Sequence, residues 1–326
     1  MVTIADVAQA AGVSISTVSY VMSGKRTISQ ETKDRVERAV EELDYRPHAS
    51  ARSLASRSTN VIGLQAPLRS GVDVHVVMEI VAGIVREARA HQYDILLLTS
   101  DDAEGLRRAT GASMVDALLL MDVESDDPRI KTLRKLSAPS VLVGLPQGAD
   151  GLTCVDFDFE AAGRAAAERL IALGHRRVAL IGSPREVLER HTSYAERLSR
   201  GFLAACAEHD IPATVHPCPT THESVAVVDA VLAAHPEVTG VFIHNEGALA
   251  HVAARIAALG GRDAIALCPE DIARTVPTLT DSIDLPAEEL GSAATRAIIA
   301  LLAGEPTPKV RLLPPVLASG RPATTA

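Results

Sequence analysis

The first forty-five residues place their hydrophobic side chains at helical spacing. Ile4, Val7, Ala8 and Ala11 recur at i, i+3, i+4 and i+7, the signature of a helix with one apolar face. Gly12 predicts its end, because a residue without Cβ takes the left-handed conformation a tight exit needs. Ser14 can then cap a second helix, with Val18, Val21 and Met22 as its buried stripe. Ser29 and Glu31 open a third, whose apolar positions are Val36, Ala39, Val40 and Leu43. Two short helices joined by a glycine turn, closed by a third, make a helix-turn-helix unit.

Helical spacing stops at Tyr45-Arg46-Pro47, since the residue before proline is pushed out of helical space. The next segment, His48 to Ser56, is rich in Ala, Ser and Arg and has one large apolar side chain, Leu54. Nine residues of weak propensity form a marginal helix that needs a partner to order it. From Asn60 and Val61 onward the pattern changes. Val61 to Leu64, Ile95 to Leu98, Ala117 to Met121, Ser140 to Val143, Val178 to Ile181, Val241 to Ile243 and Ala264 to Leu267 are short continuous apolar runs, as in strands buried on both faces. Amphipathic helices are expected at Val76 to Ala90, Glu160 to Leu173, Leu198 to His209 and Leu249 to Leu259. Such alternation predicts parallel α/β layers.

Length and charge sharpen this picture. A chain of 326 residues exceeds one ordinary core and suits two or three domains. The net charge is −9, yet residues 1 to 60 hold eight Lys/Arg against seven acids, so the rest of the chain is strongly acidic. Any nucleic-acid contact is therefore confined to the N-terminal region. There is no Trp, with only four Phe and four Tyr, so a ligand pocket has few aromatic platforms to draw on. Cys154, Cys206, Cys218 and Cys268 stand far apart without a C-x-x-C pair. With no signal peptide and no membrane-length apolar run, they are expected to be reduced, buried thiols of a cytoplasmic protein.

The second helix offers the clearest candidate chemistry. Opposite its buried stripe lie Ser16, Ser19 and Tyr20, with Ile15 and Thr17 at the margins. Short hydroxyls meet base edges in the DNA major groove, and a methyl-bearing side chain meets thymine. Ser23-Gly24-Lys25-Arg26 is a basic turn suited to phosphate. Other motifs read as structural. His175 after Gly174 is a helix cap, and Gly182-Ser183-Pro184 lacks the frame of a nucleophile elbow. His216, Cys218 and His222 could supply three zinc ligands but have no fourth, so no metal or cofactor is expected.

Three sequence blocks bring these features together. Thr3 to Ser19 reads T-I-A-D-V-A-x-x-A-G-V-S-x-x-T-V-S, followed by Tyr45-Arg46-Pro47 and by A-x-A-R-S-L at Ala49 to Leu54. This resembles the DNA-binding headpiece of the lactose-repressor (LacI/GalR) family. The resemblance continues through Val155-Asp156-Phe157-Asp158, Leu173-Gly174-His175-Arg176-Arg177-Val178, Arg200-Gly201-Phe202, Phe242 to Glu246, Leu279-Thr280 and Glu289-Leu290-Gly291. It implies a helix-turn-helix headpiece over residues 1–47, a hinge helix and linker over 48–60, and a periplasmic-binding-protein-like core over 61–326. That core would consist of two parallel-sheet subdomains, 61–160 plus 282–306 and 161–281 plus 307–326, joined by three crossovers around an effector cleft.

Function follows from the same resemblance as an expectation. A homodimeric transcriptional regulator, a repressor, would bind pseudo-palindromic operator DNA through Thr3, Ser14, Ile15, Ser16, Thr17, Tyr20, Arg26 and Tyr45. Ala51 would allow close approach of the hinge while Leu54 wedges into the minor groove, kinking the duplex. A small effector, a sugar or related metabolite, would sit among Asp156, Arg190, Arg197, Asn245, Glu270 and Asp271. Carboxylates, an amide and a guanidinium suit hydroxyl-rich ligands. The chain departs from the family pattern at several of these positions. Glu246 replaces the usual Asp, Cys268-Pro269-Glu270-Asp271 replaces the G-F-D-D loop, Val76 and Val77 fall where relatives present aromatics, and Arg190, Arg197 and Arg200 compete as the effector arginine. A solute receptor for transport and an α/β enzyme are the rival readings. The headpiece opposes the first, and the lack of a nucleophile, metal or phosphate-loop motif opposes the second.

Overall fold

A computed structural model describes residues 2–23, 26–45 and 58–319. The expected hinge helix, with Ala51 and Leu54, and the basic residue Lys25 lie outside these residues.

The headpiece has three helices, α1 (Ile4–Ala11), α2 (Ile15–Ser23) and α3 (Gln30–Glu42). Thr3 and Asp6 form a reciprocal capping box at the start of α1, and Gly12 ends it at φ +64°. Ser14 Oγ accepts from Thr17 N at 3.1 Å, opening α2 as its spacing predicts. Val7, Ala8, Ala11, Val18, Val36 and Ala39 fill the core. Two expectations change here. Met22 is exposed rather than buried, because Tyr45 helps to fill that small core and is itself only 5% exposed. Asp44, at φ +44°, turns the chain back so that Tyr45 N donates to Val40 O at 2.9 Å. Tyr45, expected among the DNA contacts, therefore packs into the headpiece core.

The remainder folds as two lobes. One six-stranded sheet has the order β11-β5-β4-β3-β1-β2, formed by β1 (Val61–Gln65), β2 (Asp94–Leu97), β3 (Ala117–Leu120), β4 (Ser140–Val143), β5 (Thr153–Phe157) and β11 (Val310–Leu313). All its pairings are parallel. The other has the order β12-β10-β9-β8-β6-β7, formed by β6 (Val178–Gly182), β7 (Ala213–Pro217), β8 (Gly240–Ile243), β9 (Asp263–Cys268), β10 (Asp281–Asp284) and β12 (Val316–Ser319). Only β12, antiparallel to β10, breaks its parallel run. The chain crosses between lobes after β5, after β10 and after β11. Three crossovers were expected and three are present. The helix over 287–302 and strand β12 lie in the lobes expected for 282–306 and 307–326, but β10 belongs to the second lobe and β11 to the first, so both later boundaries fall a few residues farther along the chain. Short strands such as Asp-Ser-Ile-Asp carry too little apolar signal to reveal which sheet they join.

The same helix contact holds each lobe together. In the first lobe α4 (Val74–Ala90) packs on α13 (Ala287–Leu302), and in the second α7 (Phe159–Ala172) packs on α9 (Ser193–Glu208). Each contact is a reciprocal pair of glycines. A Cβ on Gly83 would lie 1.9 Å from Glu288 O, and one on Gly291 2.0 Å from Ile80 O. In the second lobe the corresponding distances are 2.1 Å from Gly163 to Leu198 O and 2.0 Å from Gly201 to Glu160 O. Only glycine permits this closeness. The remaining helices are α5 (Ala103–Gly111), α6 (Ile130–Leu133), α8 (Arg185–Glu189), α10 (Ser224–Ala234), α11 (Glu246–Leu259) and α12 (Glu270–Thr275). No described helix is long and apolar enough to cross a membrane.

At the hinge end of the first lobe, one carboxylate gathers the entering chain. Asp116 accepts from Ser58 Oγ at 2.6 Å, Thr59 N at 2.7 Å, Thr59 Oγ1 at 2.9 Å and Asn60 N at 2.8 Å. Partial burial would raise its pKa, but these donors hold it below the usual carboxylate range. The residues next to the hinge are thus fastened to the body of the lobe.

Candidate effector cleft and DNA-reading helix

On α2, Ile15, Ser16 and Tyr20 stand exposed and Thr17 half-buried. The hydroxyls of Ser14, Ser16 and Thr17 form a chain at the helix start, with both links at 2.8 Å. Arg26 lies over the Tyr20 ring at 5.3 Å from its centroid, which brings a cation beside the exposed face. Thr3 is exposed at the start of α1, but its hydroxyl donates to Asp6 at 2.8 Å. The helix therefore offers a short polar face flanked by one guanidinium, sized for a major groove.

Between the lobes is a cavity of about 130 Å³, formed at the carboxyl ends of the strands, where open parallel sheets place their ligand sites. Much of its wall is aliphatic, including Val72, Val76, Val77, Ile80, Val123 and Leu285. The polar groups facing it are Asp73, Asp122, Asp156, Ser183, Ser193, Tyr194, Thr220, His244, Asn245 and Glu246. Among the described residues no Lys or Arg lines it. Main-chain bonds across one side of the cleft join the lobes, from Ser125 N to His191 O at 2.8 Å and from Ser193 N to Val123 O at 2.9 Å.

Of the six expected effector residues, Asp156 and Asn245 line the cavity, and neither is free. Asn245 caps α11 by accepting from Ala248 N at 3.1 Å and donates to Cys218 O at 2.7 Å. Its amide stitches strand ends together. Asp156 accepts from Arg197 Nη1 at 2.6 Å. Burial pushes the Asp156 carboxyl up to about 7, against the pull of Arg197. Arg197 is 5% exposed and also lies 3.5 Å from Asp158 at the first crossover, so it joins the lobes and does not face the ligand space. Arg200 pairs with Glu160 on the surface. Arg190 donates to Ser70 O at 3.0 Å and stands 4.0 Å from Asp122, with its Nε and Nη2 buried and unpaired. Among the three arginines it alone has buried nitrogens without a hydrogen-bond partner, though it does not line the cavity.

Glu270 and Asp271 are corrected. Both are exposed on α12 outside the cavity, because the chain after β9 forms a short outward helix. Glu270 pairs with Arg274, and Asp271 reaches His75 of the opposite lobe at 3.2 Å. His175 is structural as expected, bridging Thr239 at 2.8 Å and Asp263 at 3.1 Å. His216, Cys218 and His222 do not form a cluster that could hold a metal among the described residues. All four cysteines are buried and unbridged, their thiols pushed up by burial.

The cavity's own chemistry rests on Asp73, Asp122 and His244, outside the expected effector set, and on Glu246, which stood out in the sequence only as a departure from the family's Asp. Asp122 pairs at 3.2 Å with Arg69, which also holds Asp101 and Glu124, and Asp73 caps α4 by accepting from His75 N at 2.9 Å. Glu246 has no cationic partner among the described residues. Burial, with Asp73 nearby, pushes its carboxyl up to about 7. Burial also pulls His244 down to about 4, holding a neutral ring with Nδ1 unpaired. The legible signal was His-Asn-Glu directly following a buried strand. Glu246→Gln is expected to raise the melting temperature at pH 8, with the gain disappearing near pH 4. The folded carboxyl holds its proton more tightly than the unfolded one, so stability is lost as pH rises from about 4.5 through 7. Melting curves across that range test this, and a gain independent of pH would contradict it.

The comparisons with known proteins agree with this architecture. A model of the lacI family of bacterial regulatory proteins matches residues 3–48, and a periplasmic binding protein-like domain matches 167–321. The HTH-type transcriptional regulator CelR of Thermobifida fusca is 30% identical over 338 residues, covering 95% of each chain. The chain belongs to the lacI family of bacterial regulatory proteins. A solved CelR-cellobiose complex is 27% identical with a TM-score of 0.66, covering 98% of this chain and 100% of that one. The lac repressor dimer bound to operator and anti-inducer shares the fold at TM-score 0.79 and 24% identity, covering 100% and 99%. As a member of the lacI family the chain is a DNA-binding transcriptional regulator and not an enzyme.

Proposed function

We propose that this regulator is a cytoplasmic homodimeric repressor of a pseudo-palindromic operator, with a sugar-class effector in the interlobe cleft setting its DNA affinity. The observation that carries this reading is the cavity walled by both lobes, with unengaged polar groups inside it and a separate helix-turn-helix face outside. CelR, of similar sequence, is known as a cellobiose complex, which favours a sugar here. A two-fold protein matches a two-fold operator and doubles the contacts of one small headpiece. Asp116 provides a mechanical link, since residues 58–60 follow the first lobe wherever it moves. Effector binding that changes the angle between lobes would change the separation of two hinges in the dimer, through its differential affinity for the two states.

Binding to a palindromic operator fragment, measured by fluorescence anisotropy, tests the reading. Tyr20→Ala and Leu54→Ala are each expected to weaken binding at least tenfold while the dimer stays intact by sedimentation. Affinity should fall steeply with added salt, as phosphate contacts require. Salt-insensitive binding retained by both variants would contradict the proposal.

A further inference from the structure

The cleft lining is biased toward negative charge, and one carboxylate in it lacks a counter-ion among the described residues. Among the described residues its lining holds four carboxylates, Asp73, Asp122, Asp156 and Glu246, and no Lys or Arg. Asp122 and Asp156 are matched from behind by Arg69 and Arg197, and Asp73 is occupied as a helix cap. Glu246, half-buried at the cavity wall, accepts from its own backbone N–H but has neither a cation nor a side-chain hydrogen-bond donor among the described contacts. An aromatic cluster lines the same space. Phe159, Tyr194 and His244 pack with centroids 5.4 Å, 5.6 Å and 5.9 Å apart, and the Tyr194 and His244 rings meet at 89°. In a chain with only eight Phe and Tyr, two of them gather at this one wall. His244 is 5% exposed, lines the cavity, and leaves Nδ1 without a partner.

We propose that the effector is an amine-bearing sugar, its ammonium seated between the Glu246 carboxylate and the rings of Phe159, Tyr194 and His244. This rests on the reading of the cleft as a sugar-effector site and narrows it. An ammonium brings three donors and a charge. Glu246 supplies the counter-charge and the ring faces supply cation–π attraction in a water-poor space. Neutral His244 and the Tyr194 phenol, both kept uncharged by burial, add lone pairs without repelling a cation. The hydroxyls of the sugar would meet Ser183, Ser193, Thr220 and the remaining carboxylates, and its C–H faces the valine wall.

The test uses the full-length chain and pairs of ligands in which amine replaces hydroxyl: glucosamine and glucose, galactosamine and galactose, each differing by one amine, and the deacetylated chitin disaccharide and cellobiose, differing by two. Dissociation constants come from calorimetry, and ligand-induced melting shifts are taken from each variant's own baseline. The expected result is at least tenfold tighter binding of one amino member than of its neutral partner. Glu246→Gln, which keeps size and hydrogen bonding but removes the charge, should abolish that preference. Equal binding of both members, or a preference that survives in Glu246→Gln, would overturn the inference while leaving the sugar-effector reading standing. No binding by any of the six would overturn the sugar reading, and the inference with it.

Discussion

Arg197→Ala is expected to destabilise the protein by roughly 3–5 kcal/mol, the cost of leaving one member of a buried ion pair alone. Arg197 comes from α9 of the second lobe. It holds Asp156 of β5 in the first lobe at 2.6 Å and approaches Asp158 of the crossover at 3.5 Å. Without the guanidinium, the Asp156 carboxylate remains in a site that already pushes it up to about 7. The loss should therefore grow with pH. An acid whose folded pKa is raised loses stability as pH rises through that value, so the deficit at pH 8 exceeds that at pH 5. Adding Asp156→Asn to Arg197→Ala removes the stranded charge and should recover part of the loss. Urea unfolding at the two pH values measures all three variants. A deficit under about 1 kcal/mol would show that the pair is not a buried strut.

Gly201→Ala is the second large effect. On an exposed helix this change would be favourable by up to about 1 kcal/mol, since alanine is the better helix former. At Gly201 the added carbon would lie 2.0 Å from Glu160 O and 2.8 Å from its carbonyl carbon, so α7 and α9 must move apart. Overpacking of this kind costs about 1–3 kcal/mol, and backbone gives way less easily than a side chain. Gly111→Ala is the control: it ends α5 with nothing within 4 Å of its Cβ position, and should be neutral or stabilising. Because α9 also carries Tyr194 and Arg197, Gly201→Ala should disturb the cleft as well as the fold. Equal melting temperatures for the two variants would contradict the close-approach argument.

The sequence by itself determined the local structure. The i, i+3, i+4 spacing, the left-handed Gly12 and the Ser14 cap appear in the headpiece as read. The apolar runs at β1, β3, β4, β6, β8 and β9 are strands buried on both faces, within a residue or so at their ends. These features are encoded within a few residues of themselves. Strands β5, β7, β10, β11 and β12 were less legible, because short runs with polar, acidic or proline residues gain their stability from a neighbouring strand.

Tertiary structure alone decided the rest. Tyr45 looks like a surface tyrosine until a turn at Asp44 carries it into the core. Arg197, Asn245, Glu270 and Asp271 have the chemistry of ligand residues. Burial and partners engage the first two elsewhere, and an outward helix removes the others. Glu246 and His244 gain their meaning by the opposite route, as a carboxylate without a counter-ion and a ring nitrogen without a hydrogen-bond partner among the described residues, at the end of a parallel strand. A motif shows which residue types are present. Whether a polar group is free depends on the atoms packed around it, and those come from parts of the chain far away in sequence.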